Sequence, residues 1–135
     1  TRHEGRAYGI LATAVSSLSF DPPSLLACIN RTASLHDPLL ASGHFAVNVL
    51  GQSNREVAAH FTDPSQAARF ANGDWQDVAG MPVLASAQSS FVCRLADVHE
   101  FGTHSVIFGG LLVAQHRQNA LPLTYFDRHY LESER

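Results

Sequence analysis

The stretch that decides the fold is Tyr8–Ser34, YGILATAVSSLSFDPPSLLACINRTAS. Gly9 to Ala14 reads as a short apolar strand running into a small-polar segment, Thr13-Ala14-Val15-Ser16-Ser17-Leu18-Ser19. Asp21-Pro22-Pro23 reads as a turn, because proline presets a turn φ and cannot donate to a sheet ladder. A second apolar strand, Leu25 to Ile29, opens into another polar loop, Asn30-Arg31-Thr32-Ala33-Ser34. Two neighbouring strands that end in hydroxyl-rich, backbone-exposing segments, with one arginine, can hold a phosphate and the polar edge of a flat ring.

Strand signals continue outward from this stretch. Phe45 to Leu50 is an apolar run between Gly43 and Gly51. Ser90 to His99 alternates, with Phe91, Cys93 and Leu95 expected on one face. Ser105 to His116 is a long apolar strand whose Gly109-Gly110 pair predicts a bulge or bend. Leu123 to Phe126 is a final short strand. Helices fall mid-chain. Ser53 and Glu56 form the pattern of a capping box, opening a helix to about Phe61. Asp63-Pro64 predicts a second helix, with proline in its first turn, to Phe70. Between Ser34 and Gly43 two readings stand: a capping box of Ser34 with Asp37, or a single turn begun at Asp37-Pro38. Many short strands with one helical insertion predict a mainly antiparallel β-barrel with helices on one side.

At 135 residues the chain is expected to be one domain. Its net charge of −3 and complete lack of lysine argue against nucleic-acid binding, which needs clustered cations. No apolar run approaches the ~20 residues that cross a bilayer. Charged residues make up 16% of the chain, a low share that fits burial of surface in an oligomer. Cys28 and Cys93 lie in apolar strand-like runs and read as buried free thiols, consistent with a reducing cytoplasm. The scattered histidines and isolated cysteines lack metal-ligand spacing. Neither GxGxxG nor GxxxxGK[ST] occurs, nor does the GxSxG nucleophile elbow.

The order of motifs resembles the flavin reductase-like family, built on the FMN-binding split barrel. Its run is close to T-A-x-S-x-x-S, D-P-P, an apolar strand and a polar loop ending in Ser. Here these are Thr13, Ala14, Ser16, Ser19, Asp21-Pro22-Pro23 and Ser34. The family's G-D-H-x-I-F-x-G is matched by Gly102, His104, Ile107 and Phe108, with Thr103 in place of Asp. A terminal P-L-x-Y followed by Arg is matched at Pro122, Leu123, Tyr125 and Arg128, and the Arg-Phe pair at the end of the helical insertion by Arg69-Phe70.

The resemblance implies an antiparallel, Greek-key-like split barrel and an NAD(P)H:flavin oxidoreductase. FMN or FAD would be held by Thr13, Ala14, Val15, Ser16, Ser19, Asn30, Arg31, Thr32, Ser34, Tyr125 and Arg128. The flavin phosphate would sit among Arg31, Ser34 and the Ser16 region. His104 would lie near the flavin and nicotinamide as the catalytic-site histidine; no metal is implied. The flavin would lie between two subunits of a homodimer and, once reduced by NADH or NADPH, serve a partner monooxygenase. A family helix and strand that precede Tyr8's region are expected outside the present chain. The alternatives are a flavin carrier or sensor of the same fold, which Thr103 keeps open, and a split-barrel oxidase of a vitamin phosphate.

Overall fold

The computed structural model describes residues 1–134. Its centre is a five-stranded antiparallel sheet in the order β3-β4-β9-β8-β5. These strands are β3 (Val15–Phe20), β4 (Pro23–Asn30), β5 (His44–Val49), β8 (Ser89–Phe101) and β9 (His104–His116). Around it lie three two-stranded ribbons: β1 (Arg2–His3) with β2 (Arg6–Ala7), β6 (Trp75–Val78) with β7 (Met81–Leu84), and β10 (Thr124–Phe126) with β11 (His129–Leu131). Helix α1 (His36–Ser42) links β4 to β5. The insertion between β5 and β6 carries α2 (Arg55–His60) and α3 (Gln66–Phe70).

Strand alternation builds the core. On β4, Leu25, Ala27 and Ile29 are all buried, every second residue of the strand. They meet Phe45 of β5, Cys93 of β8, Ile107 of β9, and Leu35 and Leu39 beside and on α1. Phe91 and Leu95 pack on this same cluster, so the expected face of β8 is the one observed. Val92, between them, points to a separate cluster with Met81 and Val83. Burying a side chain such as Ile29 or Ile107 stabilises the fold by roughly 1.5–3 kcal/mol. Both cysteines are free; Cys93 is fully buried and Cys28 half-buried. Burial pushes the Cys93 thiol up to about 11, which leaves it inert as a nucleophile at neutral pH.

Several local expectations change. The first strand is Val15–Phe20, not Gly9–Ala14. A tight turn forces the residues just before it to pair with those just after it, so Phe20 faces Pro23 and Ser16 faces Leu26. The small-polar segment is therefore mostly strand, and the apolar run before it is not part of the ladder. Gly109 and Gly110 themselves stay paired, and one of two register shifts in the β8–β9 pair falls opposite Gly109. The register shifts lie between Val92 and Cys93 and between Leu95 and Asp97. Gly109 also serves close approach: a Cβ there would sit 2.5 Å from Phe45 Cζ and 2.8 Å from Cys93 Cβ.

The helix starts also differ. Ser53 does not cap α2. Asn54 accepts from the Gly51 amide at 2.8 Å and donates to Ser86 at 2.9 Å while only 2% exposed. α3 starts at Gln66 rather than at Asp63-Pro64, because the Ser65 hydroxyl accepts from the Ala68 amide and caps it there. Neither reading of Ser34–Gly43 holds: α1 begins at His36 with no side-chain cap. The His36 ring is buried, Nδ1 at 2.9 Å from Asp37 and Nε2 at 2.9 Å from the fully buried Ser105 hydroxyl. The final short strand expected at Leu123–Phe126 is present as Thr124–Phe126 and pairs with β11. Asp127 and Arg128 both take positive φ, as a two-residue hairpin turn requires.

Candidate functional site: a cleft between the sheet and the helical insertion

A cavity of about 970 Å³ opens between the main sheet, the insertion and the β10–β11 hairpin. Its floor is core surface, including Ala27, Ile29, Phe45 and Ile107. One wall is β5 from Ala46 to Val49, extended by Leu50. Another is the irregular segment from Tyr8 to Thr13, with Val15 beyond it.

The insertion supplies an aromatic corner. Phe70 and Trp75 have ring centroids 4.8 Å apart, and Phe61 stands 5.3 Å from Phe70 and 5.9 Å from Trp75. These rings press on Gly9, where a Cβ would lie 2.7 Å from Phe61 and 2.9 Å from Phe70. The backbone there is gripped at both polar groups. The Gly9 amide donates to Gln66 Oε1 at 2.9 Å, and the Gly9 carbonyl accepts from Arg69 Nη1 at 2.5 Å. This grip uses both backbone polar groups of Gly9, so at that point the segment is held by α3 rather than by a sheet neighbour.

The hairpin closes the far end with Tyr125, Arg128, His129 and Tyr130. Tyr125 and Tyr130 stack at 5.0 Å, and the Arg55 guanidinium lies 5.4 Å from the Tyr130 ring centre. Arg55 also lines a smaller cavity of about 420 Å³ with Gln52, Leu131 and Glu132. Apolar walls with a polar, cationic end suit a flat ring carrying a polar edge and an anionic tail.

The expected site residues fall into three groups. Thr13, Val15, Tyr125 and Arg128 line the main cavity, brought together from opposite ends of the chain. Ala14 is not among the lining residues; its carbonyl accepts from the Cys28 amide of β4 at 2.9 Å. Asn30, Arg31, Thr32 and His104 gather at one end of β4 and β9. There Asn30 faces His104, Arg31 donates its amide to the Thr103 carbonyl, and its guanidinium pairs with Glu100 at 3.3 Å. Asn30 Oδ1 accepts from the Thr32 amide at 2.9 Å and hydroxyl at 2.8 Å, an Asx turn that shapes this loop.

His104 is exposed, with Nδ1 2.8 Å from the Thr103 hydroxyl. Thr103 thus supplies a hydrogen bond to the ring where the family motif carries a carboxylate. Ser16 and Ser19 stand on edge strand β3, their hydroxyls bonded locally to the Ser17 carbonyl and the Asp21 amide. Ser34 belongs to neither end. Its hydroxyl accepts from Gln66 Nε2 at 2.6 Å, tying the polar loop to α3.

Sequence reasoning missed Gln66 and Arg55. Gln66 contacts residues 57 and 32 positions away, so no local pattern marks it. Arg55 sat inside an assumed capping box, and its place over the Tyr130 ring appears only in three dimensions.

Fold and cleft together define a mainly β protein with short helices and a cofactor-sized cleft. The model of the flavin reductase like domain matches residues 1–134, and the chain belongs to that family. It is 41% identical to the FMN reductase (NADH) RutF of Pseudomonas syringae pv. syringae, over 96% of this chain and 75% of the relative. Identity is also 41% to the reductase component of 4-hydroxyphenylacetate 3-monooxygenase from Pseudomonas aeruginosa, over 90% of this chain and 74% of the relative. Among solved structures, the NADH:FAD oxidoreductase SgcE6 of Streptomyces globisporus C-1027 superposes with a TM-score of 0.91 at 25% identity, covering 98% of this chain and 82% of that one.

Proposed function

We propose that the protein is an NAD(P)H:flavin oxidoreductase that passes a hydride from NADH or NADPH to FMN or FAD. The observation that carries this reading is the cleft itself. It assembles Thr13, Val15, Tyr125 and Arg128 around apolar walls in a chain of the flavin reductase-like family. The donor set fits a flavin: apolar side chains for the ring faces, Thr13 for the polar edge, and arginines for an anionic tail.

When bound, the flavin supplies the hydride acceptor and the nicotinamide the donor. The chain's part is to bind, orient and keep out water. The aromatic corner of Phe61, Phe70 and Trp75 lines the cleft and would shield the ring faces of a bound flavin from solvent. Gln66 and Arg69 hold the Gly9 backbone so that Thr13 and Val15 keep a fixed path along the wall. Thr103 orients the His104 ring through Nδ1 and leaves Nε2 for a ligand amide or carbonyl. Positioning of this kind is worth several kcal/mol of a hydride-transfer barrier.

The split-barrel description is part of this reading, supported by the packing of Met81 and Val83 of β7 against Val92 of the main sheet. So are a single domain, a homodimer with flavin between subunits, a cytoplasmic location and an oxygenase that consumes the reduced flavin. The reductase components among its relatives support the last. Among the described residues no helix is long and apolar enough to cross a membrane.

The test is NADH consumption by the purified protein with FMN, then FAD, in molar excess. Multiple-turnover oxidation is expected, and the faster flavin names the preference. Flavin binding without oxidation of NADH or NADPH overturns the reductase reading and leaves a carrier or sensor.

A further inference from the structure

The β10–β11 hairpin reaches over the cleft as a two-stranded sheet of its own. Its base is fixed. The Leu123 amide donates to the Leu50 carbonyl at 3.0 Å, the Gln52 amide donates to the Leu121 carbonyl at 2.8 Å, and Gly51 bridges Pro122. Beyond the base every residue from 124 to 131 is exposed except Tyr130, which is half-buried. A ribbon held only at its base would pivot there, since two strands alone are marginally stable in water.

Tyr130 is where the hairpin meets the body of the protein. The Arg55 guanidinium lies 5.4 Å from the Tyr130 ring centre, within cation–π range. Tyr130 is also the register partner of Tyr125, so the two rings share one face of the hairpin and stand 5.0 Å apart. Arg55, Tyr125, Arg128 and Tyr130 all line the cleft. Arg55 is itself steadied from behind. It opens α2 next to Asn54, whose side chain is bonded to the Gly51 amide and to Ser86. The segment from Gly51 to Arg55 therefore holds the hairpin twice, by backbone at the base and by a cation on a ring further out.

We propose that Arg55 is a positioning residue whose contact with Tyr130 keeps the hairpin over the cleft, with Tyr125 and Arg128 turned toward the bound flavin. The proposal rests on the flavin reductase reading and gives its site a residue that acts through another. Without that contact the hairpin swings about Leu121–Leu123 and carries two wall residues with it.

The first measurement needs no flavin. Hydrogen exchange is compared between the parent protein and Arg55→Met, which removes the charge at an exposed position while keeping a long side chain. Amides of residues 124–131 are expected to exchange about two- to fivefold faster, the scale of one exposed cation–π contact, with β4 unchanged. The second measurement is the FMN dissociation constant, read from quenching of flavin fluorescence, for the parent, Arg55→Met, Tyr130→Leu and the double variant. Arg55→Met is expected to weaken FMN binding by about two- to fivefold in the parent chain and to have no further effect in the Tyr130→Leu background, where the ring it acts through is gone. Arg55→Lys, which keeps a cation over the ring, recovers most of the loss, a recovery that packing alone would not give.

Hairpin exchange that Arg55→Met leaves at the parent rate overturns the proposal, as does FMN affinity that the variant leaves unchanged. So does a loss of affinity just as large in the Tyr130→Leu background, the mark of an arginine that does not act through Tyr130. A Tyr130→Leu chain that lacks a melting transition leaves the exchange comparison and the Arg55→Lys recovery to decide. Failure of the parent protein to bind FMN overturns the flavin reading instead, and the exchange comparison still decides whether Arg55 holds the hairpin.

Discussion

Thr13–Ser19 and Asn30–Ser34 flank the same inner strand, β4, and are both rich in small polar residues, yet they are used in opposite ways. The first is mostly strand. Its Ser16 and Ser19 hydroxyls are spent on neighbours one and two residues along the chain. The second is a turn whose groups reach across the molecule, to Thr103 and Glu100 on one side and to Gln66 on the other. A hydroxyl bonded locally reports only on its own backbone. A side chain bonded to a distant element reports on the assembly, and its removal is felt at a distance. The difference teaches that composition marks a segment as capable of polar contacts, while partner distance decides whether those contacts organise a site.

The comparison can be broken at its shared support. Ile29→Ala removes a core side chain 4% exposed on β4 and is expected to cost about 2–5 kcal/mol by denaturant unfolding. Both segments should then loosen together, since both hang from that strand; a loss confined to one would show that they are held independently. Next in size is Asn30→Ala. It deletes the acceptor for the Thr32 amide and hydroxyl and should cost about 1 kcal/mol, with hydrogen exchange rising in the turn and unchanged on β3.

Arg31→Ala removes an exposed ion pair with Glu100 and should change stability by less than about 1 kcal/mol. Its contribution should also shrink in high salt, and persistence at high salt would indicate a packing role for the arginine stem. The smallest effect is expected for Ser16→Ala with Ser19→Ala. These exposed hydroxyls bond only nearby backbone, so the pair should stay within about 0.5 kcal/mol of the parent chain. A larger loss of flavin affinity than of stability in that double variant would place β3 in the binding site and narrow the contrast.

Much of the frame is local in origin and was legible. Leu25–Ile29 reads as a strand because it is short, apolar and bounded by prolines and a polar loop, and Pro23–Asn30 is the strand observed. The same face of Phe91, Cys93 and Leu95 follows from the period-two geometry of any strand. The alternation could not locate the first strand, since Gly9–Ala14 is the more apolar run and Val15–Phe20 is the one that pairs. Pairing obeys the turn that precedes β4, and apolar character does not outvote it.

The chain's composition and motif order determined a mainly β protein of the flavin reductase-like family and named four residues that line its cleft, Thr13, Val15, Tyr125 and Arg128. Tertiary structure decided which of them share a wall. Thr13 and Val15 meet Tyr125 and Arg128 because the sheet and the hairpin close on one cavity. Ser34 meets Gln66 because α3 folds back over Gly9. Strand and turn preferences act over a few residues and can be read along the chain. A binding cleft depends on contacts between residues far apart in sequence, and those exist only once the core has brought their elements together.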